Sequence, residues 1–258
     1  MIELRAGPAM CVVSPIDGGR LAALRIDGQP LLVERNVQAS TQDPMTWGSF
    51  PMVPYAGRVR EGRFEFAGAA HQLPIGLAPH AIHGTVYTVA WDVTATTATT
   101  IDMRSELGDY WPFGGWSGQR IDLSADRVVC ELWVTAADRS MPAMVGWHPW
   151  FVKPRSAMLR FARQYERGDD GLPTGRLVEP VPHPWDDCFV EPLEPLRLRI
   201  GDIDVTIASD CDHWVVFDMP AEATCVEPQS GPPDSFNGRP TTLDPGRTLR
   251  RSMTISWK

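Results

Sequence analysis

Residues 120–134, RIDLSADRVVCELWV, alternate apolar and polar side chains along two arms, with a polar break at Ser124-Ala125-Asp126 between them. A period of two belongs to a strand with one buried face, because successive side chains leave a strand on opposite sides. Two such arms around a short turn read as an antiparallel hairpin.

The same grammar recurs along the chain. RLAALRIDGQPLLV places Asp27-Gly28 between two apolar arms, the turn chemistry of a hairpin whose central residues need positive φ. RFEFAGAAHQLP bends at Gly68 with Phe64 and Phe66 on one face, and LRLRIGDIDVTIAS is a further hairpin. TVYTVAWDV and IDMRSEL read as strands, TATTATT (94–100) as a solvated strand end or hairpin, and LRRSMTISW closes the chain with Leu249, Met253, Ile255 and Trp257 alternating. The 24 prolines among 258 residues are about twice the usual usage of about 5% and argue against long helices. At least a dozen strands and no internal repeat predict an all-β fold, one large antiparallel sandwich spanning a single domain, 1–258.

Composition removes several function classes. A net charge of −8, with Lys and Arg spread along the chain, argues against a nucleic-acid or anionic-membrane partner. Five scattered cysteines without a C-x-x-C pair suggest neither a disulfide framework nor a zinc knuckle, and fit a reducing cytoplasm. The start, MIELRAGPAMCVV, has no export-signal pattern, and no apolar run is long enough to cross a membrane. G-x-G-x-x-G, P-loop, G-x-S-x-G and H-E-x-x-H motifs are absent.

Five stretches depart from plain alternation and gather chemically able side chains: VPYAGRVREG (53–62), APHAIHG (78–84), GWHPWF (146–151), PWDDCF (184–189) and TCVEPQSGPPDSFN (224–237). Each is flanked by strand-like sequence, so in a sandwich they can converge on one concave face. Singly, each has a structural explanation. His80 and His83 share the H-x-x-H spacing of two metal ligands on a helix, but Pro79 and Gly84 make the segment a loop. His148 could be a core histidine bonded to a carbonyl, Asp186 and Asp187 a turn cap, and Arg58 an ordinary ion-pair partner. Glu227 is harder to dismiss, because a carboxylate in a mostly apolar strand end needs a partner or a raised pKa. Together they form a kit for holding a sugar ring and moving protons on it, with aromatic faces for its C–H side and Arg and Asp for its hydroxyls.

In order, PYAGR, then HAIHGTVYTVAW, then P-x(5)-HPWF, D-x-x-F and V-E-P-x(4)-P-D-x-x-N resemble the motifs of the aldose 1-epimerase, or galactose mutarotase, family. They run from residue 48 to 237, so the resemblance covers nearly the whole chain. It implies a β-supersandwich of mostly antiparallel strands, no metal or organic cofactor, a small sugar as the only partner of a monomer or homodimer, and interconversion of the α and β anomers of a free aldose. It assigns Glu227 as catalytic base, His148 as general acid and His83 as the second active-site histidine, with Arg58 and Asp186 binding substrate. On this reading Pro149 and the flanking Trp147 and Trp150 fix His148 against the ring oxygen. Trp150 and Val152 stand where the family has Tyr and Asn, Pro228 where it has Thr, and Gly57 where Asn is common. A modified hexose with an anionic group is therefore an open alternative, with Arg60, Arg63 or Arg120 as anion partners. Two other readings of the same kit are a non-catalytic carbohydrate-binding module and a hydrolase using Asp186 with Glu227.

Overall fold

In the computed structural model, which describes residues 1–36 and 43–258, Ile121 and Leu123 on Trp116–Leu123 and Val128, Cys130, Leu132 and Val134 on Arg127–Thr135 all point into the core. The two strands pair antiparallel, with Arg120 opposite Glu131 on the solvent side. The hairpin is the centre of an eight-stranded sheet. Asp92–Thr96 and Thr100–Glu106 extend it on one side, and Thr248–Trp257, Ile203–Ser209, Leu196–Ile200 and Ser156–Met158 on the other.

The larger, 11-stranded sheet carries three of the five chemically distinct stretches near its middle, and the other two, 53–62 and 78–84, pair with each other through Arg58–Val59 and Ala81–Ile82 outside it. Its order is Ile2–Ala6, Ala9–Ser14, Arg20–Ile26, Ser49–Met52, Gly146–Val152, Ala223–Gln229, His213–Phe217, Asp186–Pro192, Phe161–Arg167 and Pro173–Val178, with Gln29–Pro30 beside Arg20–Ile26. All strand pairs are antiparallel, and one isolated parallel bridge joins Val53 to Gly84. Among the described residues there is no α-helix, only the single 3-10 turns Pro15–Asp17, Arg60–Gly62 and Ser235–Asn237. The fold is all-β, as the alternating sequence predicts, and is the supersandwich that the family resemblance implies. No helix of the described residues is long and apolar enough to cross a membrane.

The two sheets share one continuous apolar cluster, from Leu4 to Trp257. A buried polar chain crosses it: the Trp147 indole N–H donates to Gln119 Oε1 at 3.0 Å, and Gln119 Nε2 donates to the Gly19 carbonyl at 2.7 Å. Satisfying these groups inside the core ties the sheets together at one register.

TVYTVAWDV differs from its expected strand. Residues 85–91 form turns, and the strand begins only at Asp92. Their backbone groups bond to other loops instead of a ladder: Trp91 N–H donates to Pro15 O, and Val89 O accepts from Gly18. Val86 and Trp91 are buried, so the apolar alternation marks anchors of a packed loop. TATTATT forms the exposed strand end and hairpin expected of it.

The two faces of the central hairpin should separate cleanly in stability. Leu132→Ala is expected to cost about 2–5 kcal/mol, whereas Glu131→Ala on the outer face should change stability by about 0.5 kcal/mol or less. Urea unfolding of both variants measures this, and equal costs would contradict the assignment of faces.

Candidate active site

Strand register builds the site. Gly146 stands opposite Gln229 and Trp150 opposite Cys225, which sets His148 across from Glu227 between them. On the other side of the same strand His148 faces Phe50, and Glu227 in turn faces Val215. Phe50, His148, Glu227 and Val215 thus form one row across four strands, and directly opposed residues share a face with Cβ atoms about 4.5–5.5 Å apart. The next row on that face holds Trp150, Cys225, Phe217 and Asp186. Trp147, one residue before His148, points the other way into the core. The sequence expectation that both tryptophans clamp His148 is corrected accordingly: Trp150 covers one imidazole face, with centroids 5.3 Å apart and planes at 9°, and Phe50 covers the other at 4.8 Å and 25°.

His148 Nε2 lies 3.2 Å from Glu227 Oε1, and Gln229 Nε2 donates to Glu227 Oε2 at 3.2 Å. Both side chains are buried. Burial pushes the Glu227 carboxyl well above the ordinary range; the Asp186 charge adds to this, while the Gln229 hydrogen bond and Arg58 oppose it. Burial likewise pulls His148 down to about 3, with Arg20 and Arg58 contributing in the same direction. A dry wall therefore favours a neutral carboxylic acid facing a neutral imidazole, one proton held between two groups that can each give or take it.

His83 stands edge-on to His148, with centroids 4.9 Å apart and planes perpendicular. It comes from a loop in which His83 and Gly84 both have positive φ, 62° and 85°. A Cβ on Gly84 would lie 2.1 Å from the Val53 carbonyl oxygen, so only glycine lets this loop pass. Burial holds His83 well below its ordinary value, with His148 and Arg58 adding to the effect.

These groups open on a cavity of about 180 Å³. All five stretches contribute to its wall: Gly57 and Arg58, Ile82 and His83, His148 and Trp150, Asp186, then Glu227, Gln229 and Pro233. Arg58 Nη2 is 3.4 Å from Asp186 Oδ2, which also accepts from Arg167 Nη2 at 2.8 Å, while Arg167 Nη1 donates to the Asp186 carbonyl. Among the described residues, four of eight buried polar atoms without a protein partner belong to wall residues: His83 Nδ1, His148 Nδ1, Trp150 Nε1 and Gln229 Oε1. Such a concentration marks a place where a polar ligand completes the hydrogen bonding.

His80 is not on this wall. Its Nδ1 accepts from the Glu61 N–H and its Nε2 meets the Asp170 carbonyl, so both nitrogens are used in holding the loop. Asp187 likewise lies outside the cavity wall. Among the described residues one trio offers metal-ligating atoms within 4.8 Å of one another, His148, Cys225 and Glu227. Cys225 is off the cavity wall and both carboxylate oxygens of Glu227 are engaged, so we assign no metal to it. The arginines considered as anion partners are all paired: Arg60 with Asp170 and Asp234, Arg63 with Glu61, and Arg120 with Asp102. Sequence reasoning missed Gln229, Phe50 and Arg167. Gln229 was within reach, since it follows Glu227 by two residues on the same strand face. Phe50 and Arg167 arrive through register and long-range pairing that no local pattern reports.

The buried imidazole fixes a sign for stability against pH. An unfolded chain protonates His148 below about 6.5, whereas the folded protein keeps it neutral down to about 3. Between these values the unfolded state binds more protons, so the stability tied to His148 is complete above 6.5 and is lost as pH falls toward 3. Glu227 has the opposite sign: its contribution is present below 4.5 and is lost as pH rises through its folded value. His148→Asn should therefore flatten the acid-side slope in urea unfolding from pH 6.5 downward. An unchanged slope would contradict the neutral imidazole.

Residues 1–216 match the model of the aldose 1-epimerase family. YphB, an uncharacterised protein of Escherichia coli strain K12, is 26% identical over 280 residues, with 93% of each chain covered. A galactose mutarotase-like protein from Clostridium acetobutylicum superposes with a TM-score of 0.86 at 17% identity, over 99% of this chain and 94% of its own. Galactose 1-epimerase from Lactobacillus acidophilus NCFM gives 0.83 at 15%, over 98% and 92%. These structural likenesses establish a common fold, and the family match covers most of the residues of the site. The chain belongs to the aldose 1-epimerase family.

Proposed function

We propose that the protein is a mutarotase acting on a neutral monosaccharide. The observation that carries this reading is the contact of 3.2 Å between His148 and Glu227 on the wall of a cavity that Arg58 and Asp186 also line. Anomer exchange needs one proton taken from the C1 hydroxyl and one given to the ring oxygen. The ring then opens, the C1–C2 bond turns, and the chain recloses on the other face of the aldehyde. Once the shared proton has passed from Glu227 Oε1 to His148 Nε2, Glu227 takes the first proton and the imidazolium of His148 gives the second. Closure reverses both transfers, so the pair ends with the proton it began with. No cofactor enters this cycle, and a base and an acid within hydrogen-bond reach suffice. Arg58 and Asp186 bind ring hydroxyls, and Trp150 and Phe217 offer apolar wall to the C–H face.

Size and charge support the substrate class. At about 180 Å³ the cavity is smaller than the roughly 300–1,000 Å³ of drug-sized pockets and suits one sugar ring. Arg58, Arg60 and Arg167 each meet a carboxylate, which leaves no unpaired guanidinium among them for a phosphate or sulfonate. All five cysteines are buried and unpaired, which supports a reducing compartment such as the cytoplasm.

Saturation-transfer NMR across free aldoses and their 6-phosphates tests this reading. Catalysed exchange is expected for a neutral aldose, with losses of roughly 10²- to 10⁴-fold in Glu227→Gln and in His148→Asn. Binding without exchange would replace the reading with a sugar-binding module. Faster exchange of a 6-phosphate would overturn the neutral class, and glycosidic cleavage of a disaccharide would point to hydrolysis.

A further inference from the structure

Behind the acid–base pair lies a charged group that the proposed mechanism does not use. Arg20 begins the strand Arg20–Ile26 and is completely buried. Its guanidinium donates to four backbone carbonyls: Asp17 at 2.7 Å, Pro44 at 2.7 Å, Trp47 at 3.1 Å and Tyr87 at 3.1 Å. The Asp17 carboxylate is turned to Ser14 and Arg35, and among the described residues Arg20 forms no ion pair. Burial lowers its pKa only to about 10, so it stays charged at neutral pH. Its charge rests instead on carbonyl dipoles and two aromatic faces, Trp47 at 4.1 Å and Phe50 at 5.3 Å from the ring centroids. Phe50 is the ring stacked on His148, and His148 is stacked on Trp150. Guanidinium, phenyl, imidazole and indole thus form one column that ends at the cavity.

We propose that Arg20 is a positioning residue for the acid–base pair, a buried cation that disfavours positive charge on His148 through the intervening ring of Phe50. The proposal rests on the mutarotase reading for its catalytic meaning. A ring oxygen is a feeble base, so the imidazolium that protonates it must hold its proton loosely. A cation in the low-dielectric layer behind it has that effect, because like charges there interact more strongly than across water. Among the described residues, the following charged or titratable groups also face His148. Glu227 and Cys225 face it from the neighbouring strand, His83 from the 78–84 loop, and Arg58 and Asp186 from across the cavity. Of these, only Arg58 is a permanent cation, and it is paired with Asp186, whereas Arg20 makes no direct ion pair among the described residues and is offset only through space by the Asp17 carboxylate. Two of the four carbonyl bonds, to Pro44 and Trp47, also tie down the segment 44–47, whose Met45 and Thr46 line the cavity.

The test is the titration of His148 by ¹⁵N NMR of its ring in wild type, Arg20→Gln and Arg20→Lys, without sugar. Where acid unfolding intervenes, the imidazolium fraction is compared at the lowest pH at which the proteins stay folded. The neutral variant should titrate higher by roughly half to one pH unit. The acid limb of the pH profile for anomer exchange should move up in step. Arg20→Lys keeps the charge and loses the fork of donors, so it should lower thermal stability while holding His148 near its wild-type position. If Arg20→Gln does not fold, Arg20→Met carries the same expectation. A folded neutral variant with unmoved His148, or a lysine variant that shifts it as far, overturns the proposal. The titration needs no substrate, so a protein that exchanges no sugar would sink the mutarotase reading and leave this test standing.

Discussion

One proton shared by two buried groups is the interaction on which the rest of the site depends. His148 and Glu227 stand opposite each other on adjacent strands, buried at the cavity wall and 3.2 Å apart. Neither is comfortable charged in that setting, so free energy is lowest with the proton on the carboxyl and the imidazole neutral. On the proposed mutarotase reading, a sugar that offers a hydroxyl to one group and a ring oxygen to the other provides a route by which the proton changes places. The sheet supplies the constraint: a one-residue slip in register would turn His148 into the core and bring Trp147 to the cavity.

The fold is built to hold that register. Pro149 and Pro228 have no N–H to give, so the ladder between their two strands is interrupted beside His148 and Glu227. The loss is offset by bonds from elsewhere, with Trp150 N–H donating to Gly48 O and Val33 N–H to Trp150 O. The Trp147–Gln119–Gly19 chain pins the opposite face to the second sheet. Loops then complete the wall, and several reach it only through tight backbone contacts, as at Gly84 against Val53. The strands set where His148 and Glu227 stand, and the loops set what can approach them.

Much of this was legible in the sequence, and the failures have physical causes. Period-two alternation in RIDLSADRVVCELWV gave the hairpin because its two faces meet different surroundings. The same alternation misled in TVYTVAWDV, where Val86 and Trp91 anchor a loop whose backbone bonds go elsewhere. Glu227 stood out along the chain as a carboxylate in an apolar strand end, whereas His148, His83, Arg58 and Asp186 each had a structural explanation and were singled out by the family resemblance. Arg20 and Arg167 did not stand out. Arginine is common here, and nothing local tells a fully buried guanidinium from one paired at the surface. Trp147 and Trp150 looked equivalent in GWHPWF, yet three positions apart on a strand they face opposite sides.

The central claim is most directly tested by the protonation state of Glu227 in the free protein. The ¹³C shift of its side-chain carboxyl, followed by NMR from pH 4 to pH 8 with Glu227→Gln to assign the signal, reads it without substrate. A dry pair holding one proton requires the carboxyl to remain protonated well above 4.5, the range in which an ordinary glutamate has already ionised. A carboxyl that ionises near 4.5, with His148 titrating near 6.5, would show a solvated site and contradict the account.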